Sequence, residues 1–198
     1  MPLSLVKVYS LPPIDRREVF RYAGVRSSSG ETEELNSRLD EAIALIEGLL
    51  NPRVCFCELD VSDCDFGSSL DIRKNLRNSR SVIFFAATLG IELDRLILKY
   101  SVLSPATALL LEALGNERIE ALCDAFCEDM SKTKLLEGKS LRPRFSAGYG
   151  DLPLEYQKEI FALLDPPSRI GLTLNDSYLM SPSKSVTALI GVEKIKEV

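Results

Sequence analysis

Residues 170–192 read IGLTLNDSYLMSPSKSVTALIGV, and this stretch decides the fold class. It holds three short apolar runs, Ile170–Leu174, Tyr178–Ser181 and Val186–Val192, each predicted to be a strand. Asn-Asp-Ser and Pro-Ser-Lys separate them, residues that favour tight turns. A parallel crossover needs about a dozen residues or more, so connections this short imply antiparallel pairing.

Working upstream, Ser81–Thr88 (SVIFFAAT) is a continuous apolar run rich in β-branched and aromatic residues, read as a buried central strand. Val54–Val61 reads as another strand, and Leu3–Ser10 is extended up to Pro12-Pro13. Asp15 followed by Glu18 predicts a capped helix through Tyr22, and Val25–Gly30 is a Gly/Ser loop. Apolar residues at helical spacing mark Glu31–Leu50, and shorter helices are expected over Asp71–Leu76 and Glu92–Tyr100. Ser104-Pro105 opens a long helix to Lys132, with Gly115 as a candidate break. A further helix over Pro153–Leu164 ends at Pro166-Pro167, and the charged tail Glu193–Val198 is expected to fray. The sum is an α+β fold: a single domain over 1–198, with a largely antiparallel twisted sheet and flanking helices.

Composition narrows the chemistry. The chain has 198 residues, 45% hydrophobic and 27% charged, enough apolar material for a core without disulfides. Its net charge of −5 is spread along the chain with no basic stripe, which argues against nucleic acid. Leu3–Tyr9 lacks the features of a signal peptide, and runs such as Ala106–Leu111 fall short of the ~20 residues of a membrane span. The expected location is cytoplasmic, with no membrane partner.

There is no histidine. That removes His-based triads, His-containing zinc sites and a His ligand to haem or cobalt. No catalytic side chain and no metal ligand is assigned, so reactivity would come from a bound cofactor. The five cysteines include Cys55, Cys57 and Cys64 close together, and Cys123 and Cys127 one helical turn apart. Neither spacing matches paired Cys-x-x-Cys metal sites, and buried small hydrophobes are the expected role. A cysteine-based metal or redox centre is the weakest of the functional readings.

The informative block runs from Arg144 to Val186. Gly148 and Gly150 flank Tyr149 in a loop that enters the helix near Pro153, a geometry that admits close backbone approach to a ligand. Arg144 supplies a fork suited to a carboxylate or phosphate. Beyond it lie Gln157-Lys158, Leu163-Leu164, Ile170-Gly171-Leu172, Leu174, Ser177, Met180, Pro182 and Ser185-Val186-Thr187.

In order and spacing this block resembles the activation domain of cobalamin-dependent methionine synthase. That family's pattern is Arg-Pro-x-x-Gly-Tyr-Pro-x-x-Pro, a helix ending Leu-Leu, Ile-Gly-x-x-Leu-Thr-Glu-Ser, then Met-x-Pro-x-x-Ser-Val-Ser-Gly. The resemblance implies a fold like that domain's and binding of S-adenosylmethionine, with Arg144 on its carboxylate. It further implies Ser146, Gly148 and Tyr149 against the ligand, Ser177 and Ser185 as the serines of the later motifs, and Glu128 or Asp124 as the acid lining the site. Cobalamin would be contacted through a partner, a methionine synthase catalytic or cobalamin-binding protein or another corrinoid protein. An electron donor such as a flavodoxin would feed reductive methylation of cob(II)alamin, a methyltransferase chemistry carried by that cobalamin.

The sequence departs from the pattern at Phe145 and Gly150, where the family has Pro, and at Thr187-Ala188, where it has Ser-Gly. Lys184 replaces a small residue; in a motif facing the cofactor it would either reach a corrin amide or phosphate or simply be exposed. The family's following strand carries a ligand-contacting Tyr for which no counterpart is found, and its N-terminal Asp has no clear match. These departures imply an alternative: a corrinoid-docking module that does not bind S-adenosylmethionine.

Overall fold

The computed structural model of the chain describes residues 3–25 and 32–195. The Val25–Gly30 loop therefore lies outside the described residues except for Val25, as does the end of the tail. Five strands form one wholly antiparallel sheet: β1 (Leu5–Val8), β2 (Arg53–Asp60), β3 (Ser79–Thr88), β7 (Ser185–Lys194) and β4 (Lys139–Leu141), in that spatial order. Strands β5 (Thr173–Leu174) and β6 (Met180–Ser181) make a separate small hairpin.

Both faces of the sheet are covered, which explains the unbroken apolar run in β3. Ile83, Phe85 and Ala87 face one core, with Val54, Phe56, Ala188 and Ile190 from the neighbouring strands. Helices α1 (Arg16–Tyr22), α2 (Glu33–Ile46), α4 (Ile91–Leu103) and α5 (Pro105–Leu136) close that side. Phe126 of α5 is its aromatic centre, with ring centroids 4.8 Å from Phe85 and 5.2 Å from Phe56. Val82, Phe84 and Ala86 point the other way, joined by Cys55, Cys57 and Leu189 under α3 (Leu70–Asn75), α6 (Gln157–Leu164) and α7 (Pro166–Ile170). Alternate residues of one strand thus serve two cores, and neither face is left polar.

The helix starts follow their caps. Asp15 accepts from the main chain of Arg17 and Glu18 at the head of α1. Glu18 does not return the bond; Glu117 of α5 accepts from the Asp15 amide at 3.1 Å instead. Ser104 caps α5, with Pro105 in its first turn.

Several expected boundaries shift. Helix α5 runs unbroken through Gly115, because that glycine serves packing and leaves its backbone helical. Asp165, in the left-handed region at φ +50°, ends α6, and Pro166 starts a new helix where only a stop was expected. Helix α7 takes the chain to Ile170, so the strand expected over Ile170–Leu174 shrinks to Thr173–Leu174. The strand expected over Tyr178–Ser181 shrinks to Met180–Ser181, because Asn175 turns the chain by accepting from the amides of Ser177 and Leu179. At the other end, Glu193 and Lys194 stay in β7, held by β4 through Ser140 and Lys139. None of the described helices is long and apolar enough to cross a membrane.

Candidate ligand site at the α5 crest

The position of Arg144 is set by an irregularity at the edge of β7. The Arg142 amide donates to Gly191 at 2.8 Å, and Phe145 exchanges both main-chain bonds with Leu189 at 2.9 and 2.8 Å. Pro143 and Arg144 therefore stand opposite Ile190 alone, in a bulge that re-aims the side chain. The guanidinium reaches α5, where Nη2 donates to Glu120 Oε2 (3.1 Å) and Asp124 Oδ1 (2.9 Å). Both bonds leave from Nη2, so the other edge of the fork faces away from these acids.

A pocket of about 290 Å3 opens beside it, lined by Glu120, Arg144, Phe145, Ser146, Tyr149, Val186 and Ala188. The pocket thus combines a cationic fork, a hydroxyl and an exposed aromatic ring.

The loop after Arg144 is pinned from outside the pocket. Asp151 accepts from the main-chain amides of Leu70 (2.7 Å) and Asp71 (3.1 Å) and from the Ser69 hydroxyl, capping α3 from a distant segment. Asp71 returns the bond to the Asp151 amide. These bonds hold the Asp151 carboxyl below the usual carboxylate range, the Ser69 hydroxyl contributing most. Gly150 sits at φ +55° with its α-carbon against the Asp71 carboxylate, so any side chain there would collide. A glycine suits both the positive φ and the crowding by Asp71.

On the other side of Glu120 lies a second pocket, about 520 Å3, between α5 and the segment that leads into α1. Its rim is acidic: Asp15, Glu18, Glu117, Glu120, Asp124 and Glu128. Behind the lining, the buried Arg118 pairs with Glu117 and donates to the carbonyls of Pro12 (2.6 Å) and Pro13 (3.1 Å). Those bonds hold the Pro-Pro segment over α5, which puts Asp15 on the rim.

The sequence-predicted residues are divided by this geometry. Arg144, Ser146 and Tyr149 line the smaller pocket, with Gly148 beside them at φ +87°. Asp124 contacts Arg144, while Glu128 lies one turn farther on, lines the second pocket and pairs with Lys132 at 2.7 Å. Ser177 is exposed on the β5–β6 turn, and Ser185 is buried, bonded to Thr88 Oγ1 (2.9 Å) and the Pro182 carbonyl (2.8 Å). Neither serine lines either pocket. Lys184, expected to face a cofactor or solvent, is instead buried at 8% exposure, with its ammonium on Glu112 and Asn116. Sequence reasoning missed Glu120 and Asp15; the Glu117-Arg118 pair on an otherwise apolar helix face was the available signal.

The cysteines form no centre. Cys55, Cys57 and Cys123 are buried, and among the described residues no group of three or more Cys, Asp or Glu could hold a metal. Burial pushes the Cys55 thiol up to about 12 and those of Cys57, Cys64 and Cys127 to about 11.

The comparisons with known proteins point one way. Among solved structures, the chain is similar to the crystal structure of the MetH reactivation domain bound to AdoHcy, with a TM-score of 0.72 and 15% identity. The match covers 100% of this chain and 80% of that one, and at this identity it carries the fold. No match to a curated protein was found. The family model described as vitamin B12 dependent methionine synthase, activation domain, matches residues 77–196, a span running from the head of β3 past Arg144 and both pocket-lining residues of β7. The antiparallel sheet, the Arg144 bulge and this match have one reading: the chain belongs to the vitamin B12 dependent methionine synthase activation domain family.

Proposed function

We propose that the chain acts in reactivation as a single domain that binds S-adenosylmethionine and docks on a cobalamin-loaded partner. The observation that carries this is Arg144, aimed by its bulge at the mouth of a pocket between β7 and the acidic crest of α5. The ligand's carboxylate suits the outward edge of the guanidinium fork, and its ammonium and sulfonium suit the acids around Glu120. The smaller pocket falls at the lower limit of small-molecule sites, roughly 300–1,000 Å3, and the neighbour sharing Glu120 adds the missing room.

Ser146, Gly148 and Tyr149 are assigned to the ligand's flank, and Asp124 and Glu128 to its cationic end. Ser177 and Ser185 act indirectly in this reading, shaping the turn and the start of β7. The partner's cobalamin supplies the nucleophile, and an electron donor such as a flavodoxin supplies one electron, so the chain itself needs no acid or base. Its work is to orient the sulfonium methyl toward the partner. Calorimetric titration with S-adenosylmethionine, alone and with a cobalamin-loaded methionine synthase module, tests this. Binding that is lost in Arg144→Ala is the expected result; no heat in either mixture refutes it.

A second reading is favoured by the same arginine. Arg144 already has two carboxylate partners within the chain, so its charge is satisfied without a ligand. A docking module that positions or shields a corrinoid without S-adenosylmethionine would keep that arrangement. Partner association with no response to S-adenosylmethionine identifies it.

A further inference from the structure

Helix α3 holds the ligand segment at both ends. At the rear, Asp151 caps its first turn. At the front, its last residue, Asn75, bonds the two residues just before Arg144. The Asn75 carbonyl accepts from Arg142 Nε at 3.1 Å, and Asn75 Nδ2 donates to the Pro143 carbonyl at 3.4 Å. Arg144, Ser146, Gly148 and Tyr149 all lie in the sequence between these two holds, so α3 braces the whole segment.

A glycine makes the front hold possible. A β-carbon on Gly191 would lie 2.8 Å from Leu76 Cδ2 and 3.1 Å from Arg142 Cγ, and closer still to Ser79 Oγ. The turn after α3 therefore packs directly against β7 and the Arg142 stem. Pairing is irregular on both sides of this point, between Ser79 and Ser81 on β3 and at Pro143-Arg144 on the opposite side. The only ion pair of Arg142 among the described residues, to Glu193, is 3.9 Å long. The bond to Asn75 is thus the short contact that fixes this side chain.

Asn75 is a poor choice for the fold alone. Its Oδ1 is buried without a hydrogen-bond partner, which destabilises, and asparagine is a weaker helix former than alanine. We infer that Asn75 and Arg142 are positioning residues, clasping the chain before Arg144 to α3 so that the guanidinium keeps its aim on the α5 crest. The inference rests on the assignment of Arg144 to the ligand's carboxylate and names what sets that arginine in place. Neither Asn75 nor Arg142 lines the two pockets beside α5, so their effect on a ligand passes through Arg144 and the loop that follows it.

Asn75→Ala and, separately, Arg142→Met remove the two side-chain donors, and three measurements on the intact chain separate positioning from folding. The melting temperature of Asn75→Ala should equal or exceed that of the wild type, since the orphaned acceptor leaves with the side chain. The Phe145 amide, bonded to Leu189 just beyond the bulge, should exchange with solvent about tenfold faster in either variant, with Phe85 in β3 unchanged. In calorimetry with the cobalamin-loaded module present, S-adenosylmethionine affinity should fall about tenfold, on the order of one lost hydrogen bond. A role in folding alone predicts the opposite split, with a lower melting temperature and faster exchange at Phe85 as well.

Unchanged exchange at Phe145 in both variants overturns the inference, as does faster exchange there with undiminished affinity. A fall in melting temperature with faster exchange throughout the sheet also overturns it. Absence of binding by the wild type refutes the ligand reading instead, and exchange at Phe145 then decides by itself whether the clasp holds the segment of Arg144. Arg142→Met keeps an aliphatic stem against Gly191, so it remains informative if Asn75→Ala misfolds.

Discussion

Lys184 crosses Gly115 so closely that a β-carbon on the glycine would lie 2.8 Å from the lysine Cε and 3.0 Å from Leu93 Cδ2. The lysine cannot swing aside cheaply, because its ammonium is fixed on Glu112 and Asn116. Alanine at a helical glycine normally stabilises by about 1 kcal/mol. Here overpacking, which costs roughly 1–3 kcal/mol, should cancel or exceed that gain. Urea denaturation of Gly115→Ala should show equal or lower stability than the wild type. In a Lys184→Ala background the same change should become stabilising, and a gain already present with Lys184 intact refutes the packing account.

Arg144→Lys keeps the charge and gives up the fork. If the guanidinium grips a ligand carboxylate, S-adenosylmethionine affinity should fall at least about tenfold, since charged hydrogen bonds contribute roughly 1.5–3 kcal/mol. Calorimetry decides it: unchanged affinity would remove the fork from the ligand's carboxylate, and no binding by either protein points to the docking-only reading.

Asp151 ties the loop after Arg144 to α3 most firmly while it is ionised. Its carboxyl is depressed in the folded chain, so its contribution is present above the unfolded carboxylate pKa and is lost as pH falls through the folded one. The melting-temperature gap between wild type and Asp151→Ala should be full at neutral pH and close in acid. A gap independent of pH would mean that the side chain acts through packing alone.

The raised thiols predict chemical silence. Native protein treated with iodoacetamide near neutral pH should keep Cys55, Cys57 and Cys123 unmodified, with alkylation following unfolding. Mass spectrometry of the native and denatured protein reads this directly, and rapid native labelling of Cys55 would contradict the burial.

Phe126 joins three aromatic rings, those of Phe85, Phe56 and Tyr9. Phe126→Ala should cost about 3–5 kcal/mol, and chemical denaturation at constant m-value measures it.

Local features were legible in the sequence. The run Ser81–Thr88 announced a strand buried on both faces, and Ser104-Pro105 announced the head of α5. The short spacings after Ile170 gave antiparallel pairing, although the first two runs there form only a two-residue hairpin. What could not be read was anything that depends on contacts between distant segments. Nothing in residues 79–88 specifies that 185–194 will lie beside them. Nothing near Gly150 in the sequence says that Asp71 presses on it. Arg144 was legible as a fork, but its partners required knowing which turn of α5 passes beneath the bulge. Ser185 matched a motif by spacing, yet the strand start turns it inward to Thr88.

The central pairing of β3 with β7 has a consequence for how the chain is made. β7 is inserted between β3 and β4, and it follows both of them in synthesis. Until residues 185–194 emerge, β3 has an unpaired side and the two cores share an open seam. Folding must therefore wait on a contact of high sequence separation, which slows it and leaves an adhesive strand exposed meanwhile. A nascent chain halted before Ser185 should be a substrate for chaperones, whereas one released after Lys194 can close in a single step.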